Sequence, residues 1–200
     1  MNQLGCINGK CEDNSRQLSF VLKVRFKVDS QDWVILAGMD VVTDRLFRHL
    51  AWANTYVFDR IAEQPEEQLK LTAPNDTWTV AEILEHLTAS RYADLLDGKG
   101  NIPTEVPTNK AEVLALRDLS LTFDQRLREA AKNPVGFVEF TRWDGKEIRR
   151  NRETILTQSI HHATEHRAQI AGIFANHGLK VIDLDAIDLW EFANYEGLGD

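Results

Sequence analysis

The chain has 200 residues, of which 43% are hydrophobic and 27% are charged, and its formal net charge is −8. This length and composition are typical of a soluble globular protein of one domain. No apolar run is long enough to cross a membrane. The acidic balance, without a basic cluster, argues against binding to a nucleic-acid backbone. We see no secretory signal pattern and therefore expect a cytoplasmic location.

Residues 1–38 differ from the rest of the sequence. Cys6 and Cys11 lie in a polar leader, and their C-x4-C spacing matches no common zinc pattern. Phe20–Val28 alternates apolar and basic residues, which predicts a β-strand. The helical pattern begins directly after Met39. We hypothesise that residues 1–38 are an N-terminal extension that does not belong to the native protein, and that residues 39–200 form the domain.

Helical patterns follow from Val41. A first apolar stripe recurs at spacings of three and four residues until Pro65 limits the helix. The capping-box pattern Thr79–Val80–Ala81–Glu82 begins a second helix, which we expect to continue to Gly98. A third helix is predicted from Lys110 to Ala131 by the same kind of apolar stripe.

The last third of the chain combines a hairpin signal with a long helix. Asp144–Gly145 between apolar segments predicts a tight β-hairpin. A fourth helix is predicted from Arg152 to Asn176, with Gly178 as its capping residue. The tail Val181–Phe192 is expected to pack back as a short turn or helix. The fold class is therefore all-α, a four-helix bundle with a short β-hairpin before the last helix.

The fourth helix carries the pair His162 and His166. On a helix these side chains lie about 40° apart around the axis and one turn apart along it, so that they can bind one metal ion together. Ile155 and Ile173 share this face, which predicts that the imidazoles point inward. The alternative is that each His bonds a nearby carboxylate or carbonyl; His161 fits that interpretation, with Glu165 one turn further on.

The second helix offers a third candidate, His86, beside its apolar side. From the residues alone, His86 is either a ligand or an ordinary core or boundary histidine. Two other histidines are interpreted as structural. His49 has no partner at ligand spacing, and His177 suits the negative end of the helix dipole.

Four stretches of the sequence resemble the DinB-like (YfiT-like) metalloenzymes, over about Met39 to Phe192. These are the first-helix element Trp52–Ala53–Asn54, Trp78–Thr79–Val80 with Glu85–His86–Leu87, the segment His162–Gln169, and Gly178 followed by Leu184–Asp185. The segment His162–Gln169 resembles the H-x3-H-R-G-Q signature of that family, with Ala168 where Gly is frequent.

The resemblance implies a four-helix bundle with a long crossover, commonly a homodimer, and a metal site formed by His86, His162 and His166. It places Arg167 and Gln169 at motif positions without assigning their roles. Three neutral imidazoles leave a position for water or substrate. Zinc is the default divalent ion, and nickel also suits imidazole.

Because the family includes enzymes that use low-molecular-weight thiols, our first hypothesis is a metal-dependent, thiol-dependent S-transferase acting on a small-molecule substrate. A second hypothesis is a hydrolase that uses metal-activated water, with Glu82 or Glu85 as candidate bases. A third is a non-catalytic, stress-associated metal-binding dimer. The sequence identifies neither the substrate nor the thiol.

Overall fold

The computed structural model describes residues 39–74, 76–100, 102–142 and 144–199. These residues form a mostly helical structure with one two-stranded antiparallel hairpin. The predictions for Cys6, Cys11 and Phe20–Val28 fall outside the described residues. The elements in chain order are α1 (Val41–Ala62), a 3₁₀ turn (Glu66–Lys70), α2 (Val80–Leu87), α3 (Ser90–Asp97), α4 (Lys110–Ala130), β1 (Phe137–Thr141), β2 (Glu147–Asn151), α5 (Arg152–Asn176), a 3₁₀ turn (Asp185–Ile187) and α6 (Leu189–Tyr195).

N-capping side chains mark the beginnings of α1 and α2. The Asp40 side chain accepts hydrogen bonds from the first-turn N–H groups of α1, at Val42 and Thr43. At α2 the predicted capping box is present: the Glu82 N–H donates to the Thr79 hydroxyl, and the Thr79 N–H donates to the Glu82 carboxylate. Such caps satisfy backbone N–H groups that the helix itself leaves without partners.

The predicted single second helix is wrong, because the chain breaks between α2 and α3. Ala89 adopts φ 53° and ψ 26°, the left-handed region, and it is the one residue other than glycine with positive φ in the described part of the chain. This conformation costs an L-residue about 1–2 kcal/mol. The Ala89 side chain is buried, with 7% of its surface exposed, so packing holds the bend in place. The apolar pattern around it gave no signal of this break.

The hairpin is confirmed, and it leads directly into α5. β1 and β2 pair antiparallel from Phe137–Asn151 to Thr141–Glu147. Buried Arg152 then begins α5 and donates to the carbonyl oxygens of Leu96, at 2.6 Å, and Asn133, at 3.0 Å. These bonds fasten the first turn of α5 to the ends of α3 and α4.

The core contains a polar group that the apolar patterns did not predict. Arg167 of α5 is 4% exposed and donates to the Asn54 side chain of α1 at 2.7 Å. Asn54 in turn donates to the Asp124 carboxylate of α4 at 3.3 Å. Burial raises the pKa of Asp124 to about 7, against the lowering effects of the Asn54 hydrogen bond and the Arg167 charge. Three helices are thus joined inside the core by charged and amide groups.

No helix in the described residues combines the length and the apolar character that crossing a membrane requires.

Replacing Asp124 by Asn is expected to change how stability depends on pH. Because the folded-state pKa of Asp124 is raised from 3.8 to about 7, its stabilising contribution is complete below pH 3.8 and is lost as the pH rises towards 7. The free energy of unfolding of the wild type should therefore fall, relative to that of D124N, by about 2 kcal/mol between pH 5 and pH 7.5. Urea unfolding across this range measures the difference. Parallel pH profiles would contradict the prediction, and exposed Asp118→Asn is the control on the same helix.

Candidate metal centre

Helices α2 and α5 bring His86, His162 and His166 together. The Nε2 atom of His162 lies 3.0 Å from Nε2 of His86 and 3.0 Å from Nε2 of His166. One ligand atom from each residue lies within 4.8 Å of the others, and the described residues offer no other group of three or more His, Cys, Asp or Glu that could hold a metal ion. His86 approaches from 76 positions away in the sequence.

Shared protons alone cannot satisfy these nitrogens. Each neutral imidazole has one N–H donor and one lone pair. His166 Nδ1 lies 2.9 Å from the Gln169 Oε1 acceptor, so Nδ1 carries the proton and Nε2 presents its lone pair to the cluster. If His162 Nε2 carries a proton, it can donate a hydrogen bond to the Nε2 atom of only one neighbour. The Nε2 atom of the other neighbour is then left without a hydrogen bond from His162. A divalent cation accepts all three lone pairs at once, and the donor set fits it.

Burial favours the neutral, metal-binding form of these imidazoles. It is the largest cause that lowers the pKa of His162 to about 3 and of His86 to about 4, and the neighbouring imidazoles add to both shifts. Burial also lowers the pKa of His166. His86 is the most exposed of the three residues, although its Nε2 faces the cluster. Since a metal ion binds only unprotonated imidazole, these shifts reduce the competition from protons.

A hydrogen-bonded chain supports His166 from behind. Gln169 accepts from His166 through Oε1 and donates through Nε2 to the Asp76 carboxylate at 3.1 Å. The other Asp76 oxygen accepts from the Trp78 backbone N–H at 3.1 Å. This arrangement fixes the ring orientation and tautomer of His166, as outer partners of metal-binding histidines do. It gives Gln169 a role that the sequence left open.

Two aromatic rings line the cluster. Trp78 lies edge to face with His86, at 4.9 Å between ring centroids, and stacks with His166 at 6.1 Å. Tyr92 of α3 meets His162 edge to face at 5.4 Å. These side chains restrict the imidazole orientations and supply apolar surface beside the nitrogens. Tyr92 lies three residues after the break at Ala89, in the first turn of α3.

The remaining histidines are held by other partners. His49 donates to the Ile187 carbonyl at 2.8 Å, and His177 donates to the Thr72 carbonyl at 3.0 Å. His161 is exposed, and its Nδ1 atom lies 3.4 Å from Oε1 of Glu165, which is the pairing expected from the sequence. The structural interpretation of these three histidines is confirmed.

The inward orientation predicted for His162 and His166 holds only in part. Both residues are half-buried, at the border of the packed face of α5, whose centre is occupied by Ser159, Ala163 and Ile170. Arg167 shares that buried face and does not contact the imidazole nitrogens in any described bond. This position leaves the three histidines partly exposed to solvent.

The two candidate bases, Glu82 and Glu85, both accept hydrogen bonds from other side chains. Glu82 is bonded to Thr79 in the capping box. Glu85 accepts a hydrogen bond from the Thr104 hydroxyl. No carboxylate belongs to the three-histidine group in the described residues.

A concavity lies away from the cluster. It encloses about 820 Å³ between α1, α5 and the segment after α5, and is lined by small and charged residues including Ala168, Gly172 and Arg60. None of the three clustered histidines lines it, so we assign the chemistry to the imidazoles and not to this groove.

Comparisons with known proteins agree with the resemblance in the sequence. The model of the DinB family matches residues 39–197. No individual curated protein and no solved structure matches the chain.

Removal of one imidazole should abolish stoichiometric metal binding. We expect His162→Ala to weaken the binding of Co²⁺ or Zn²⁺ by more than about 100-fold, since even the loss of an outer-shell partner costs 10–100-fold. The matched control is His161→Ala, the adjacent exposed histidine, which should bind metal like the wild type. Metal analysis after gel filtration, with a competitive chelator titration, measures both. Equal binding by H162A and wild type would refute the assignment.

Proposed function

The chain belongs to the DinB family, and from this membership and its three-imidazole cluster we propose that it is a metal-dependent transferase that uses a low-molecular-weight thiol. His86, His162 and His166 are the proposed ligands. The observation that carries the proposal is that the Nε2 atoms of His86 and His166 each lie 3.0 Å from His162 Nε2, without a carboxylate in the group.

The charge of this donor set favours an anionic co-substrate. Three neutral imidazoles leave the full charge of a divalent cation uncompensated. Such a cation lowers the pKa of a thiol or water molecule that reaches it. Zinc is the ion we expect, because imidazole nitrogens are suitable ligands for it and it does not change its oxidation state. Nickel is the alternative. We also propose that the protein works in the cytoplasm, where small thiols are kept reduced.

The proposed reaction is a substitution that balances without an oxidant or reductant. The sulfur of the thiol forms a bond to an electrophilic carbon of the second substrate. The bond between that carbon and its leaving group breaks with both electrons, and the thiol proton ends on the leaving group or in solvent. The chain's own residues position this chemistry. Gln169 and Asp76 hold His166, while Trp78 and Tyr92 restrict the space beside the imidazoles.

A hydrolase receives less support from the same geometry. It needs a base that can accept a proton from water near the cluster. The two carboxylates that the sequence offered, Glu82 and Glu85, are engaged with Thr79 and Thr104. We therefore place thiol transfer ahead of hydrolysis.

A thiol panel tests the proposed function. Zinc-loaded protein should form a thioether from an aryl halide and a small thiol, and removal of zinc should reduce the rate by about 100-fold or more. The same protein should not hydrolyse ester or amide panels. Chromatography of the thioether measures the product, and H161A is the active control. Undiminished activity of metal-free protein, or ester hydrolysis without thiol, would reject the transferase.

We also propose that the family's four-helix bundle arrangement and homodimer apply here. In support, exposed apolar side chains occur on α1 and α6, with Val41 80% and Trp190 81% exposed. Glu196 after α6 pairs with Arg45 and Arg48 of α1, which brings these two ends of the described chain together. Burial of this surface in a second copy would remove apolar area from water.

The double variant Val41→Ser, Trp190→Ser should be monomeric where the wild type is dimeric. The substitutions remove the apolar area that drives association without touching the Glu196 ion pairs. Sedimentation velocity measures the change, and Leu184→Ser, at another exposed apolar position, is the control. A monomeric wild type, or a double variant that stays dimeric, would count against this surface.

A further inference from the structure

Two buried oxygen atoms of α4 have no hydrogen-bond partner among the described residues. They are the hydroxyl oxygen of Ser120 and the Oδ1 atom of Asp124. Ser120 is 1% exposed and Asp124 is 2% exposed, so bulk water does not reach these oxygens. A buried polar oxygen that stays unpaired destabilises the folded state, because it has lost its hydrogen bonds to water. The core therefore has to supply a partner for each of them.

Ser120 and Asp124 lie on the same face of α4. Residues four positions apart on a helix are neighbours, with Cβ atoms about 5–6 Å apart. The two oxygens do not bond each other directly, since both are unpaired in the described structure. A water molecule that makes two hydrogen bonds of about 2.7–2.8 Å joins oxygens that are about 4.5–5.5 Å apart. The spacing of the two side chains thus suits a single bridging water.

The helix packed against this face supplies a partner to Asp124 but none to Ser120. Ion pairs between α1 and α4 show that the two helices run antiparallel. Asn54 of α1 donates to the other carboxylate oxygen of Asp124, Oδ2, at 3.3 Å. In this register the residue of α1 at the level of Ser120 is Val57, which is completely buried. Its apolar side chain cannot form a hydrogen bond with the Ser120 hydroxyl.

The Ser120 hydroxyl does not use its own helix either. Serine and threonine side chains within helices often donate to the carbonyl oxygen three or four residues earlier. Thr55, Ser159 and Thr164 do so, at 2.8, 2.7 and 3.1 Å respectively. Ser120 makes no such bond within the described part of the chain. Its donor and its lone pairs are therefore available to a ligand.

We propose that Ser120 Oγ and Asp124 Oδ1 bind one ordered water molecule inside the core, between α4 and α1. Water fits because it donates to an ionised carboxylate and accepts from a protonated one, so that it pairs with Asp124 in either form. The site extends the buried group of Arg167, Asn54 and Asp124 by one water molecule and one hydroxyl. This inference does not depend on the metal or on the reaction proposed above.

A high-resolution crystal structure of the full chain tests the site directly. We expect one water oxygen within about 2.6–3.2 Å of both Ser120 Oγ and Asp124 Oδ1. A Ser120 hydroxyl that donates to the Leu116 carbonyl or directly to Asp124, without a water that contacts both side chains, would overturn the proposal.

The sign of the stability change in Ser120→Ala gives an independent test in solution. If the hydroxyl shares a water with Asp124, its removal takes away a hydrogen bond, and the unfolding equilibrium constant should rise about fivefold. If the hydroxyl is unpaired, its removal should lower that constant. The control is Thr122→Ala, which removes an exposed hydroxyl bonded to the Asp118 carbonyl on the same helix and should change the constant by less than about threefold. Urea unfolding at one fixed pH measures both variants. An S120A constant equal to or below that of T122A would reject the water site.

Discussion

Three imidazole nitrogens within 4.8 Å of one another are the constraint on which the rest of the site depends. His162 Nε2 has a second ring nitrogen at 3.0 Å on each side, and neutral imidazoles do not carry enough suitably placed protons for such a cluster. One cation could accept the three lone pairs together, and α2 and α5 hold the three rings close enough for this. Gln169 and Asp76 then fix which nitrogen of His166 is free to bind.

Several features that cost folding free energy lie around this cluster. Ala89 holds a left-handed conformation, and Arg167, the residue after His166, places a guanidinium in the core. Strained backbone and buried charge persist only where the surrounding structure stabilises them, and they concentrate at functional sites. Here the bend at Ala89 precedes α3, whose Tyr92 meets His162, while the Arg167–Asn54–Asp124 group joins α5 to α1 and α4.

Sequence patterns predicted the regular parts of this structure well. The bounds of α5 and the capping box of α2 follow from local signals that the tertiary structure does not override. The H-x3-H pair followed from helix geometry, whereas the place of His86 beside it depended on the family resemblance. The break at Ala89 was missed because an alanine gives no sign of positive φ. Asp76, Trp78 and Tyr92 were missed as site residues because their contacts join separate segments, and no periodicity within one segment encodes them.

We propose that this cluster is a cation site whose protein ligands are all imidazole nitrogens. X-ray absorption of the zinc-loaded protein, at the zinc K-edge, tests it most directly. We expect three histidine nitrogens at about 2.0–2.1 Å, with the multiple-scattering pattern of imidazole and one further light atom or thiol sulfur. A spectrum dominated by carboxylate oxygens, or with fewer than three imidazoles around the metal, would contradict it.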